Sequence, residues 1–177
     1  GSATQTTNFN NTSYVLNICT DPGGFGYWNG YVSNLRLVNG TAVYTAAFTP
    51  GTAPLQPIAN TNLLTCQSAT FVDNSTNNFT ITPATTTVKP TRFNPFTVSY
   101  STQQQYSSTV FDGSAYFDGN ADNLTIPTND AFEFGSGTFT IELWINPSSL
   151  KGYQGILGKT GAADLNGWIL YFETNNA

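Results

Sequence analysis

Apolar and polar residues alternate with a period of two along much of the chain, in short runs broken by Gly, Pro and Asn-Gly. Runs of this kind predict half-buried β-strands and not helices. Tyr14 to Cys19 alternates, with Tyr14, Leu16 and Ile18 on one face. Asp21-Pro22-Gly23-Gly24 then turns the chain. Strict alternation from Tyr31 to Val38 places Val32, Asn34, Arg36 and Val38 on one face and Tyr31, Ser33, Leu35 and Leu37 on the other. Asn29-Gly30 and Asn39-Gly40 bracket that run, and both are tight-turn dipeptides. Thr41 to Phe48 reads either as a return strand or as one helical turn, which Ala42, Ala46 and Ala47 permit.

Further along, residues 49–62 form a connection and Leu63 to Cys66 a short apolar strand. Residues 69–106 are rich in Pro, Thr and Asn, and predict an extended connector with one or two edge strands. Within it, Phe79-Thr80-Ile81-Thr82 has strand character. Strand signals return at Val110 to Phe117, then at Asn123 to Pro127 after the turn Asp118 to Asp122. Phe139, Ile141, Leu143 and Ile145 share one face of the next run; Thr138, Thr140, Glu142 and Trp144 share the other. Gly155 to Lys159 and Trp168 to Phe172 complete the series. Many short strands at close spacing predict an all-β antiparallel sandwich of the jelly-roll kind.

Composition narrows the function. The 177 residues include only 8% charged ones but 14% aromatic, the reverse of a disordered chain. The polar surface is therefore built from Thr, Ser, Asn and Gln. Net charge is −5 and the five basic residues are scattered, so no basic stripe marks a nucleic-acid partner. No apolar run reaches the ~20 residues of a membrane span. The chain has no Met and opens Gly1-Ser2, which reads as a piece of a longer protein.

With no His, Cys–His metal sites and Cys–His catalysis are excluded. Cys19 and Cys66 each end an apolar stretch. They are either two buried small hydrophobes or one disulfide, worth roughly 4 kcal/mol in the chain-entropy picture. Tyr27, Trp28 and Tyr31 cluster beside Gly23, Gly24 and Gly26. They either stack on a sugar or cap the sandwich. Glu142 has Thr140 and Trp144 two positions away on either side. A glycosidase needs a second carboxylate, so Glu142 reads as a paired strand residue and the chain as no enzyme.

Gly113 to Ile126 and Phe134-Gly135-Ser136-Gly137-Thr138-Phe139-Thr140-Ile141-Glu142-Leu143-Trp144-Ile145 resemble the opening of a laminin-G-like domain, of the concanavalin A-like lectin/glucanase superfamily. Trp28 to Tyr44, followed by Leu63-Leu64-Thr65-Cys66, resembles the closing part of such a domain. Residues 1–68 thus look like a C-terminal half and residues 107–177 like an N-terminal half, in inverted order, joined by the 69–106 connector. The resemblance implies a lectin-like fold, either cut across tandem repeats, permuted within the chain, or completed by a neighbouring copy. It also implies that Asp118, Asn120 and Asp122 hold Ca²⁺ from their turn, against which stands an ordinary turn with side-chain-to-backbone bonds.

The expected function is a non-enzymatic structural or adhesive module of a virion, tail fibre or extracellular filament, self-associating through its sandwich halves. The alternative is a carbohydrate-binding module for surface glycans. Either places the protein outside the cell or on a virion surface.

Overall fold

The computed structural model describes residues 13–21, 23–96, 113–161 and 164–174. Within them the chain forms β1 (Leu16–Ile18), β2 (Asn29–Asn39), β3 (Thr61–Thr65), β4 (Thr82–Pro83) and β5 (Lys89–Thr91). It continues with β6 (Ser114–Asp118), β7 (Leu124–Ile126), β8 (Phe139–Pro147), β9 (Tyr153–Gly161) and β10 (Asp164–Glu173). A 3₁₀ turn, Asp130–Phe132, is capped by Asn129, whose side chain accepts from the N–H of Ala131 at 2.9 Å. Every pairing is antiparallel. The fold is an all-β sandwich.

One sheet runs in the order β10-β9-β1-β7-β4. The other is organised on β2. One flank of β2 pairs with β8 over Gly30–Asn39. The other flank is shared end to end, β6 against Asn29–Val32 and β3 against Leu35–Val38. β5 extends this sheet beyond β6.

The two halves inferred from sequence therefore interleave in a single chain. β1 lies between β7 and β9, and β2 between β8 and the β3/β6 pair. Strands of both halves pair within one chain, which is the permuted arrangement among the three that the resemblance implies. The 69–106 stretch supplies one edge strand to each sheet, β4 and β5; residues 97–106 lie outside the described residues, as do 110–112.

The core lies between the sheets. Leu16, Ile18, Trp28, Val32, Leu35, Leu37, Leu63, Phe117, Leu124, Ile126 and Phe132 are all fully buried there. Each such side chain contributes about 1.5–3 kcal/mol relative to exposure. β2 departs from strict alternation. Ser33 faces Trp144 and Arg36 faces Glu142, so β2 carries one residue more than β8 between these pairs. That extra residue is a β-bulge, and Asn34 within it has φ 53°. The bulge flips the pattern: Val32 points inward together with Leu35 and Leu37, whereas Tyr31 and Ser33 point outward with Arg36. The predicted grouping of Tyr31 with Leu35 and Leu37 is corrected accordingly.

Two other expectations change. Residues 41–48 form neither strand nor helix, and instead cross the end of β8, with Gly40 N–H donating to the Thr138 carbonyl at 2.7 Å. The strand expected at Phe79–Thr82 shrinks to Thr82–Pro83. Asp73 holds the preceding loop by accepting from the backbone N–H groups of Leu64, Ser75 and Phe79.

Candidate functional site

The outer face of the β2 sheet carries a row of four residues in direct register: Asn146 on β8, Tyr31 on β2, Tyr116 on β6 and Lys89 on β5. Cross-strand neighbours of this kind lie about 4.5–5.5 Å apart at Cβ. Their rings meet: Tyr31 and Tyr116 have centroids 5.0 Å apart at 48°. Gly30 makes the row compact, because a Cβ there would sit 2.3 Å from the carbonyl oxygen of Asn146. Only glycine lets β8 approach β2 this closely.

The segment after β5 folds back over this face. The hydroxyl of Thr91 accepts from Phe93 N–H at 3.3 Å, and Oδ1 of Asn94 accepts from Phe96 N–H at 2.9 Å. These side-chain turns set Phe93 on Tyr31, at 4.5 Å, and Phe96 edge-on against Trp144, at 5.1 Å. Phe96 is buried, but Phe93 remains 50% exposed. A pocket of about 110 Å³ opens beside Phe93, lined also by Tyr31, Ser33, Asn94, Ser114, Trp144 and Asn146 among others. Its walls are aromatic rings with uncharged amides and hydroxyls. Such a lining offers apolar faces, donors and acceptors, with no carboxylate, Lys or Arg among its residues.

No family model, curated protein or solved structure matches this chain.

The other predicted residues fall elsewhere. Of the aromatic trio, only Tyr31 lines the pocket. Trp28 is fully buried in the core, so of its two readings the burial fits the one that caps the sandwich and not the sugar platform. Tyr27 is half-buried at the end of the sandwich, where its carbonyl accepts from Gln154 Nε2 at 3.3 Å. Phe25 projects from the same loop, whose N–H groups at Phe25 and Gly26 donate to Asp21 Oδ1 at 2.7 and 3.0 Å.

The Asp118–Asp122 turn does not fit a cation. Asp122 is fully buried, and its Oδ1 accepts from the hydroxyls of Thr85 and Thr87. Its Oδ2 accepts from Asp118 N–H at 2.9 Å, and Asp118 Oδ1 accepts from Asn120 N–H at 2.8 Å. Donor hydrogens thus already point at these oxygens, where a cation would repel them. Burial pushes the Asp122 carboxyl up, but the bonds from Thr85, Thr87 and Asp118 together outweigh it and hold the group below its usual value. Among the described residues no group of three or more His, Cys, Asp or Glu is arranged to hold a metal.

Cys19 and Cys66 are both buried free thiols. Burial pushes Cys66 up to about 12 and raises Cys19 as well, the latter with a contribution from Cys66 itself. Both belong to the one hydrophobic core between the sheets. Glu142 is a cross-strand partner of Arg36, with which it forms an ion pair. Its second oxygen accepts from the Tyr44 hydroxyl.

Sequence reasoning missed Phe93, Asn94, Trp144 and Asn146 as neighbours of Tyr31. Phe93-Asn94-Pro95-Phe96 stood inside an apparent connector. The signal was there in the composition, since two aromatics around Asn-Pro predict a turn with something to cover.

Proposed function

We propose that this chain is a non-enzymatic adhesive module of a virion, tail fibre or extracellular filament, and that its outer aromatic face holds a neutral surface glycan. The observation that carries the reading is the Tyr31 ring, set between Phe93 and Tyr116 beside an open pocket with amide and hydroxyl walls. Aromatic faces cover the apolar C–H side of a sugar ring, while neutral amides and hydroxyls suit its hydroxyl groups. An anionic sugar would find no cation among the residues that line the pocket. The engagement of both Glu142 oxygens by Arg36 and Tyr44 favours a structural carboxylate over a glycosidase acid. The resemblance of residues 28–44, 113–126 and 134–145 to laminin-G-like domains supports the same reading.

A glycan array followed by isothermal titration tests it. The wild-type protein is expected to retain neutral oligosaccharides, with affinity falling at least about tenfold in Phe93→Ala. Phe93 is half exposed, so the fold survives its removal. Retention of no neutral glycan, or equal affinity in the variant, contradicts the reading.

A further inference from the structure

Long exposed strand edges are unusual in stable proteins, because their unpaired N–H and C=O groups recruit other chains. Here β3, β4 and β5 are short, and β10 carries two extra residues against β9 between Asp164 and Gly167, a bulge that disrupts its ladder. β8 has none of these protections. Among the described residues it pairs with β2 alone. It is nine residues long, carries no Lys or Arg, and has its proline only at the last position. The extra residue in this ladder belongs to β2, so β8 carries no bulge against it.

Residues 40–43 cover only the start of its outer flank. Gly40 N–H donates to the Thr138 carbonyl, and Val43 N–H to Thr140 Oγ1 at 2.9 Å. From Ile141 to Ile145 the flank borders an open groove of about 430 Å³, whose far wall includes Tyr44, Phe48 and Pro50. The inward face of β8 is incompletely covered as well: Ile145 is 39% exposed, and Ile141 and Leu143 are half-buried.

We infer that this edge is a self-association surface, on which β8 of a second copy pairs antiparallel about Leu143. The sequence of β8 complements itself in that register. Ile141 meets the second copy's Ile145, and Leu143 meets Leu143, so the apolar residues keep to one face. Glu142 meets Trp144, so its charge, already neutralised by Arg36, never faces its own copy. The contact is isologous and closes as a two-fold dimer. It continues the β2 sheet through both copies and turns their aromatic faces to the same side. The inference rests on the strand edge and is independent of the glycan reading.

Sedimentation equilibrium across the micromolar range, joined to disulfide trapping, tests it. The wild type is expected to dimerise, and Ile145→Lys to weaken self-association at least about tenfold. Under a disulfide oxidant Leu143→Cys is expected to cross-link to itself. Ile145→Cys is not, because the two copies of residue 145 would lie roughly 13 Å apart along the strands. A wild type that stays monomeric overturns the proposal, and so does a dimer unaffected by Ile145→Lys. If that variant fails to fold, trapping decides: cross-linking at Ile145→Cys as fast as at Leu143→Cys overturns the register.

Discussion

The hydroxyl of Ser33 donates to the carbonyl of Gly113 at 2.5 Å, tying together residues 80 positions apart. Gly113 leads into β6, and Ser33 sits where β2 passes from β6 to β3. The seam between the two halves of the chain runs through this point. Asn34, fully buried beside it, donates to Ser33 Oγ at 2.8 Å and accepts from Leu55 N–H at 2.8 Å and Gln67 Nε2 at 2.6 Å. Gln67 in turn accepts Gly113 N–H on its carbonyl at 2.8 Å.

Asn34→Ala is expected to destabilise the protein by about 2–4 kcal/mol, from stranded buried donors and a left-handed backbone that Ala resists. Asn34→Gly relieves the backbone part and not the hydrogen bonds, so it falls between the two. Urea midpoints check this order; equal midpoints for all three proteins contradict it.

Most of the strand inventory was legible from alternation, because each strand buries one face. The bulge was not. Asn34 adopts a conformation that asparagine tolerates better than most residues, but nothing in the run Tyr31 to Val38 marks where the extra residue falls. Missing it put Tyr31 on the core side and Arg36 with Val32. The partnership of Tyr31 with Phe93 and Trp144 was equally hidden, since it depends on strands far apart in sequence meeting on one face. Trp28 and Tyr31, close in sequence, ended on opposite sides of the same sheet.

Asp122 links β4–β5 to the β6–β7 turn through Thr85 and Thr87. Its pKa is depressed in the folded state, so its contribution is present above the unfolded value of about 3.9 and is lost as pH falls through the folded value. Asp122→Ala is expected to cost about 1–3 kcal/mol at neutral pH, and to flatten the loss of stability on acidification. Urea titrations from neutrality to pH about 3 check this against the wild type. Added calcium leaves the wild-type melting temperature unchanged; a calcium-dependent rise contradicts the assignment of these oxygens to protein donors.

The two thiols stay protonated in the folded protein because burial disfavours the thiolate. Alkylation near neutral pH is expected only through unfolding, and both residues then react together. The folded pKa values are raised, so this contribution to stability is complete below the unfolded value of about 8.5 and is lost as pH rises from there towards about 12 for Cys66. Mass spectrometry after iodoacetamide treatment checks this. Rapid labelling of the native protein contradicts it, as does a mass two hydrogens light from a disulfide.

The outer aromatic face is tested most directly by aromatic-resolved NMR during titration with neutral oligosaccharides. A lectin-like face predicts shifts in the rings of Tyr31, Phe93 and Trp144 that saturate together, with the core rings of Trp28 and Phe117 unmoved. Saturable binding that instead moves Tyr27 and Phe25 at the sandwich end, or no shift with any neutral glycan, contradicts it.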